Sequence, residues 1–260
     1  MCRLLGIVSS ESTEFRMILK ESPRSMSTLS HEHSDGWGLA IHDEAAKTWH
    51  VNKGVERASD DAAFQELAVG SKGELLIAHI RKRTVGETSL DNTHPFQSGR
   101  WIFAHNGTIK DIAWLRDQTS PARASEIRGQ TDSELFFAYL LTALDAAPQG
   151  GRDKALAAAT REARNRPDFG SFNFLLSDGV VLYAHRFGRT LFLLERGPHD
   201  AVRLRRSSED GSIVETPWSQ RRHAMFVASE RMTDEPWDEI GERSLLRIDS
   251  VPMPRWRLLA

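Results

Sequence analysis

The sequence predicts an α+β protein with two mostly antiparallel sheets and helices packed outside them. Two observations lead there. Strands come first, then two adjacent central helices, then strands again, unlike the regular alternation of a parallel doubly wound sheet. The chain has 260 residues, 40% hydrophobic and 27% charged, which suits one large globular domain or two small ones.

Each element has a local reason. Residues 3–8 are an apolar strand. Ser12 or Thr13 can cap a helix running to about Lys20, and the Ser- and His-rich residues 21–35 read as a loop. Residues 38–42 and 48–53 suit the strands of a hairpin. Asp60 or Asp61 caps a helix that ends near Gly70, where glycine favours a stop. Residues 74–80 are an apolar strand followed by the polar stretch 81–95. Residues 101–105 form another strand, stopped by Asn106-Gly107, a strong turn signal. Thr131-Asp132-Ser133-Glu134 sets a hydroxyl three residues before a carboxylate, a capping box opening a helix over 133–145. That helix is apolar nearly all round and should be buried on more than one side. A second, amphipathic helix covers about 152–165. Strands follow at 171–176, 180–185, 190–194, 201–205 with 213–215, 223–228 and 244–249.

Composition excludes several function classes. Lys plus Arg number 34 and Asp plus Glu 36, a net charge of −2. That balance offers no global basic field and speaks against generic nucleic-acid binding. A single cysteine excludes an internal disulfide and multi-cysteine zinc or iron–sulfur sites. The apolar run at 4–8 is too short for a signal-peptide core. The most apolar window, 135–144, falls short of the roughly 20 residues a membrane span needs. The chain therefore reads as cytoplasmic, without a membrane partner. His31-Glu32-His33 lies in a loop, and His79, His94 and His105 lie near the motifs below. None has helical His-Glu-x-x-His spacing, and glycine-rich phosphate loops are absent, so no metal and no cofactor are expected.

Four features can carry chemistry. Cys2 stands next to Met1. Removal of Met1, expected before a small side chain, leaves a free α-amine and a thiol on one residue. Their pKa values are about 7.7–8.0 and about 8.5, so near neutral pH the amine can act as base for its own thiol. Position alone fits better a small buried residue at a fraying terminus, since reactive cysteines need a shaped environment. Asn106-Gly107 can aim an amide and a backbone N–H at one point, as an oxyanion hole requires, or can be an ordinary turn. Arg81, at a strand end, can clamp a carboxylate through two parallel hydrogen bonds, or can form a basic surface turn with Lys82 and Arg83. Asp132 can pair with a substrate ammonium, or can simply favour a helix start.

Taken in order, the pieces form a set. They are Cys2, Asp35-Gly36-Trp37-Gly38, Ala78-His79-Ile80-Arg81 with Thr84 and Gly86, Asn92-Thr93-His94-Pro95-Phe96, Ala104-His105-Asn106-Gly107 and Thr131-Asp132-Ser133-Glu134. The set resembles the class II glutamine amidotransferases, glutaminase domains of the N-terminal-nucleophile hydrolase fold. The resemblance implies a four-layer αββα sandwich. Phe172-Asn173-Phe174-Leu175-Leu176-Ser177-Asp178-Gly179 and Val227-Ala228-Ser229-Glu230 also resemble the stand-alone members. Those include the γ-glutamyl amidohydrolase of ergothioneine synthesis. The resemblance spans almost the whole chain, so residues 1–260 are expected to form one domain.

The resemblance also implies roles. Cys2 would attack a γ-amide carbon and form a γ-glutamyl thioester, its own amine accepting and returning the proton. Asn106 and Gly107 would hold the oxyanion. Arg81 would bind the α-carboxylate of the glutamyl group and Asp132 its α-ammonium, with Thr84 and Gly86 lining the same pocket. Synthase-linked members usually read Arg-Trp-Ala-Thr-His-Gly where this chain has Arg81-Lys82-Arg83-Thr84-Val85-Gly86. The implied reaction is hydrolysis of a small γ-glutamyl amide to glutamate and ammonia or an amine. Two alternatives stand beside it: a glutaminase delivering ammonia to a separate synthase subunit, and a non-catalytic relative that binds amino acids. The glutaminase-like fold would use up the 260 residues, without room for a synthase acceptor domain. The leaving amine would contact loops such as 21–34 and 198–222.

Overall fold

A computed structural model describes residues 2–197, 204–206, 213–215 and 222–259. The first strand, β1 (Arg3–Glu14), enters the middle of a sheet rather than its edge. Leu5 lies opposite Ala228 on one side and Ala78 on the other. The helix expected from Ser12 or Thr13 does not form. Beyond a register shift after Val8 the strand continues, pairing Thr13 with Gly73 and Glu14 with Lys72. Sheet pairing overrides the local capping side chains, and only a π-helical turn, Met17–Glu21, follows. The expected loop 21–35 holds α1 (Met26–Leu29), capped by Ser25, whose hydroxyl accepts the Thr28 N–H.

The hairpin forms as β2 (Trp37–Asp43) and β3 (Thr48–Gly54). Asp61 caps α2 (Ala62–Gly70), accepting the Ala63 N–H at 2.9 Å, and β4 (Lys72–Ile80) lies between β1 and β2. A second sheet opens with β5 (Phe96–Ser98) and β6 (Trp101–Ile109). Four helices follow: α3 (Ile112–Gln118), α4 (Pro121–Ala124), α5 (Asp132–Asp145) and α6 (Arg152–Arg164). The Thr131 hydroxyl caps α5 by accepting the Glu134 N–H at 3.2 Å, one half of the capping box. The Glu134 carboxylate turns instead to the N–H groups of Arg128 and Gly129.

The chain then returns to strands with β7 (Gly170–Ser177), β8 (Val181–His185) and β9 (Phe192–Arg196). Of the strand expected at 201–205, residues 201–203 lie outside the described residues. The rest falls in β10 (Leu204–Arg206), which pairs with β11 (Ile213–Glu215). The last strands are β12 (Ala224–Ala228), β13 (Asp238–Glu239), β14 (Leu245–Asp249) and β15 (Arg255–Leu258).

Seven strands pair in the order β13-β9-β12-β1-β4-β2-β3 and six in the order β15-β14-β8-β7-β6-β5. Alternation along the strands divides the interior into three cores. Leu5, Ile7, Leu39, Leu76 and Ala78 face α1, α2 and the π-helical turn. Phe103, Phe172, Phe174 and Leu176 face α5 and α6. Leu4, Val8, Ile77, Ala104, Leu175 and Leu182 interlock between the sheets. The order of layers is helix, sheet, sheet, helix. Gly6 lets the sheets meet there, since a Cβ at that position would lie 2.9 Å from Leu182 Cδ2. The α5 helix is buried on nearly every side, as its apolar surface requires. Among the described residues, no helix is long and apolar enough to cross a membrane.

The turn expected at Asn106-Gly107 is absent. β6 runs straight through it, pairing Asn106 with Asn173 and Gly107 with Phe172. Glycine serves close packing here, because a Cβ on Gly107 would fall 1.9 Å from the Ser171 carbonyl oxygen. The Asn-Gly signal is local, and the partner strand overrides it.

Candidate active site

Cys2 precedes the pair Arg3–Ile80, so it falls beside Arg81 and Lys82 at the end of β4. Its thiol donates to the Lys82 carbonyl and accepts the Lys82 N–H, both at 3.3 Å. The backbone N–H and carbonyl of a single residue therefore bracket the sulfur. Burial pushes the thiol pKa up, partly offset by the Lys82 N–H and the Arg81 charge, while the Asp132 carboxylate adds to the rise. The resting group is a neutral thiol, and attack by it needs a base.

Arg81 is 3% exposed. Its N–H donates to the Gly36 carbonyl at 2.8 Å, and its own carbonyl accepts the Asp35 N–H at 3.1 Å. Nη2 donates to the carbonyls of Val85 and Glu87 at 3.2 and 3.1 Å, winding the loop that carries Thr84 and Gly86 around the guanidinium. Nη1 is buried without a protein partner. An unmet buried donor on a cation is unfavourable, and an arriving carboxylate would satisfy it. Gly86 has φ +74° and packs against Asn92, which ties the loop to the approach to α5 through the Gln130 N–H at 2.7 Å. Thr84 is exposed and makes no side-chain hydrogen bond among the described residues.

β6 supplies the opposite wall. The Asn106 side chain points between the sheets and donates to Ser229 Oγ at 3.4 Å. Ser229 Oγ also accepts the Leu4 N–H at 2.9 Å, tying Asn106 to the strand that starts beside Cys2. Phe172 N–H bonds the Phe187 carbonyl, so the Gly107–Phe172 pair is of the non-hydrogen-bonded kind. The Gly107 N–H thus points away from β7, towards the edge where β5 has ended. On that same edge the Ile109 N–H donates to Asp132 Oδ2 at 2.7 Å, and the His105 carbonyl accepts from His79 Nε2 at 3.2 Å. Asp132 is the first residue of α5 and 7% exposed.

The structure brings Arg81 and Asp132 close enough to Cys2 to act on its thiol electrostatically, and joins Asn106, with Gly107 next to it on β6, to the start of β1 through Ser229. Thr84 and Gly86 lie on the loop that encloses Arg81. His79, His94 and His105 are buried behind them, with ring centroids 4.2 Å apart for the first pair and 6.4 Å for the second. Burial drives the His79 pKa down to about 3 and lowers the other two. All three rings are neutral. Among the described residues, no group of three or more His, Cys, Asp or Glu is placed to hold a metal.

Two residues near the site escape sequence reasoning as functional groups. Ser229 links Leu4 to Asn106, a role that only the register of distant strands creates. His33 is 3% exposed, with no hydrogen-bond partner at either ring nitrogen, the Glu32 carboxylate 3.9 Å from Nε2, and its pKa depressed to about 4 by burial and by the charges of Arg3 and Lys82. The sequence signals it only as part of a His-Glu-His run.

A β1 that runs through the middle of one of two stacked sheets, with a cysteine at residue 2, defines the fold of the N-terminal-nucleophile hydrolases. A family profile described as "Glutamine amidotransferases class-II" matches residues 1–250, and the chain belongs to that family. It is similar to the gamma-glutamyl-hercynylcysteine sulfoxide hydrolase of Mycobacterium tuberculosis (strain CDC 1551 / Oshkosh). The two are 26% identical over 244 residues, covering 90% of this chain and 95% of that one. The structure of a predicted glutamine amidotransferase from Pseudomonas aeruginosa PA01 superimposes with a TM-score of 0.65 at 24% identity, over 99% of both chains. The glutamine phosphoribosylpyrophosphate amidotransferase of B. subtilis gives 0.63 at 16% identity, over 99% of this chain and 49% of that one. The last two likenesses describe the fold.

Proposed function

We propose that the chain is an amidohydrolase that cleaves a γ-glutamyl amide with Cys2 as nucleophile. The observation that carries the reading is the convergence of three groups. They are a neutral thiol bracketed by the Lys82 N–H and carbonyl, a buried guanidinium nitrogen of Arg81 without a hydrogen-bond partner, and the Asp132 carboxylate, the last two acting electrostatically on the thiol. Arg81 takes the α-carboxylate of the glutamyl group and Asp132 its α-ammonium, which fixes the γ-carbonyl against the sulfur. Thr84 and Gly86 line that pocket.

With Met1 removed, the Cys2 α-amine accepts the thiol proton as the Sγ–C bond forms. The carbonyl oxygen becomes an oxyanion held by Asn106 Nδ2 and the Gly107 N–H. Collapse breaks the C–N bond, and the leaving nitrogen takes the proton back from the α-ammonium. A γ-glutamyl thioester remains. Water attacks it by the same route and gives glutamate and the free thiol. Similarity to a gamma-glutamyl-hercynylcysteine sulfoxide hydrolase supports the hydrolytic outcome.

The test combines intact mass with turnover. Active protein begins at Cys2, and a glutamine-analogue electrophile adds one adduct there. Cys2→Ala abolishes glutamate release from γ-glutamyl amides. Full activity with Met1 retained overturns the self-base, and undiminished turnover by Cys2→Ala overturns nucleophilic catalysis.

A further inference from the structure

β5 covers only the first part of β6. The pairing joins Ser98 to Trp101 and Phe96 to Phe103. Before Phe96 the chain packs on the other sheet, where a Cβ on Gly38 of β2 would fall 2.1 Å from the His94 carbonyl oxygen. Among the described residues, no strand pairs with residues 104–109 on the β5 side. An edge left open in this way has no ladder on that side to hold its register. Yet Gly107 lies in this stretch with its N–H on the open side, and an oxyanion donor has to sit about 2.7–3.1 Å from the oxygen it stabilises.

Two side chains stand where the strand is missing. Beyond Gly107, the Ile109 N–H donates to Asp132 Oδ2 at 2.7 Å. Before it, the His105 carbonyl accepts from His79 Nε2 at 3.2 Å. Residues 105, 107 and 109 alternate onto one edge, so the two contacts flank Gly107 evenly. A carbonyl only accepts, which places the His79 proton on Nε2. The ring is fully buried, and Nδ1 has no hydrogen-bond partner. Such a ring is less favourable in a core than an apolar side chain of similar shape, so stability alone does not account for it. His79 precedes Arg81 by two residues in one extended run, which continues past β4 through the Arg81 N–H to the Gly36 carbonyl. The hydrogen bond therefore ties the segment that carries the guanidinium to the strand that carries the Gly107 N–H.

We propose that His79 is a positioning residue for the oxyanion hole. Its Nε2–H holds β6 before Gly107 as Asp132 holds it after, and keeps the Gly107 N–H at a fixed place relative to Arg81. The inference rests on the hydrolase reading above and adds to it a group that touches neither substrate nor thiol.

His79→Leu and His79→Gln, made in the full chain and checked for folding by urea midpoint, test it. Leucine fills the space without a donor, whereas the glutamine amide can place an N–H where Nε2–H was. His79→Leu is expected to lower kcat for glutamine by about tenfold or more with KM within about threefold, the signature of an interaction needed in the transition state. His79→Gln returns kcat to within about threefold of the parent. Two inhibitors separate the hole from the clamps. The aldehyde 5-oxopentanoate accepts the Cys2 sulfur at its carbonyl carbon, and the thiol proton passes to the new alkoxide oxygen, which lies in the hole. Norvaline keeps both charged ends of the glutamyl group and has no γ-oxygen. His79→Leu weakens the aldehyde by about tenfold and leaves norvaline unchanged. Where the leucine variant fails to fold, His79→Asn, whose amide is too short to reach the carbonyl, takes its place with the same expectation. An unchanged kcat in a folded variant without the donor overturns the proposal and leaves the hydrolase intact. Equal losses in the Leu and Gln variants, or norvaline weakened as much as the aldehyde, do the same, because they mark a general structural role. No glutamate from the parent chain, with no electrophile adduct on Cys2, overturns the hydrolase reading and the proposal together.

Discussion

Asn106 is oriented by both sheets at once. Its backbone belongs to β6, and its amide reaches Ser229 beyond the end of β12 in the other sheet. An amide held in that way can meet a developing oxyanion without reorganising, which is where such a donor is most effective. Asn106→Ala is expected to lower kcat by about 10²–10³ with a smaller change in KM. A steady-state loss of about threefold or less would take Asn106 out of the oxyanion hole. At this scale the sequence was informative about chemical type. A cysteine beside Met1, an arginine at a strand end and an aspartate in a first helical turn each suggested a role from their own neighbourhood. Ser229 and His33 did not, because nothing local distinguishes a serine that bridges two sheets from any other serine. Their meaning comes from segments far away in sequence.

The strand β6 carries the sharpest contrast between local and distant information. Asn-Gly is a turn signal when only neighbouring residues are weighed. The long pairing with β7 overrides it and uses the glycine for close approach instead. Gly107→Ala would push a methyl group into the Ser171 carbonyl and force the two strands apart. A loss of about 1–3 kcal/mol or more is expected, read as a lowered urea midpoint with the denaturant slope unchanged. Unaltered stability would show that β6 and β7 are looser than the 1.9 Å approach implies. The same competition removed the helix expected after Ser12 or Thr13, where β1 keeps pairing with β4. Signals survived where no partner competed: Asp61 and Thr131 cap α2 and α5 as expected. The segments α3, α4, β13 and β15 lacked strong periodicity, and packing decides them.

At the scale of the molecule, the layer order was legible because two central helices between strand-rich halves leave few ways to cover two sheets. The same burial has a pH consequence. His79, His94, His105 and His185 are all 5% exposed or less, and each has its pKa lowered, His79 and His185 to about 3. In the unfolded chain a histidine titrates near 6.5, so between the two values the unfolded state binds the extra protons. Stability is fully present above about pH 6.5 and is lost as pH falls, at about 1.4 kcal/mol per pH unit for each such ring. The urea midpoint is expected to drop clearly between about pH 7 and pH 5, before most carboxylates titrate. A midpoint unchanged over that range would contradict neutral burial of these rings.

The place of β1 also fixes when the site can exist. β1 has β12, far along the chain, as its neighbour, and the Leu4–Ser229 contact closes 225 residues of sequence. Contacts of such separation form slowly and late in folding. Cys2 therefore leaves the ribosome long before the residues that align it. Ser229 can orient Asn106 against the Cys2 end of β1 only after β12 has inserted beside it. On the proposed reading, the site around Cys2 is therefore completed late in assembly, and a partly made or partly folded chain holds the cysteine without the strand register that aligns it.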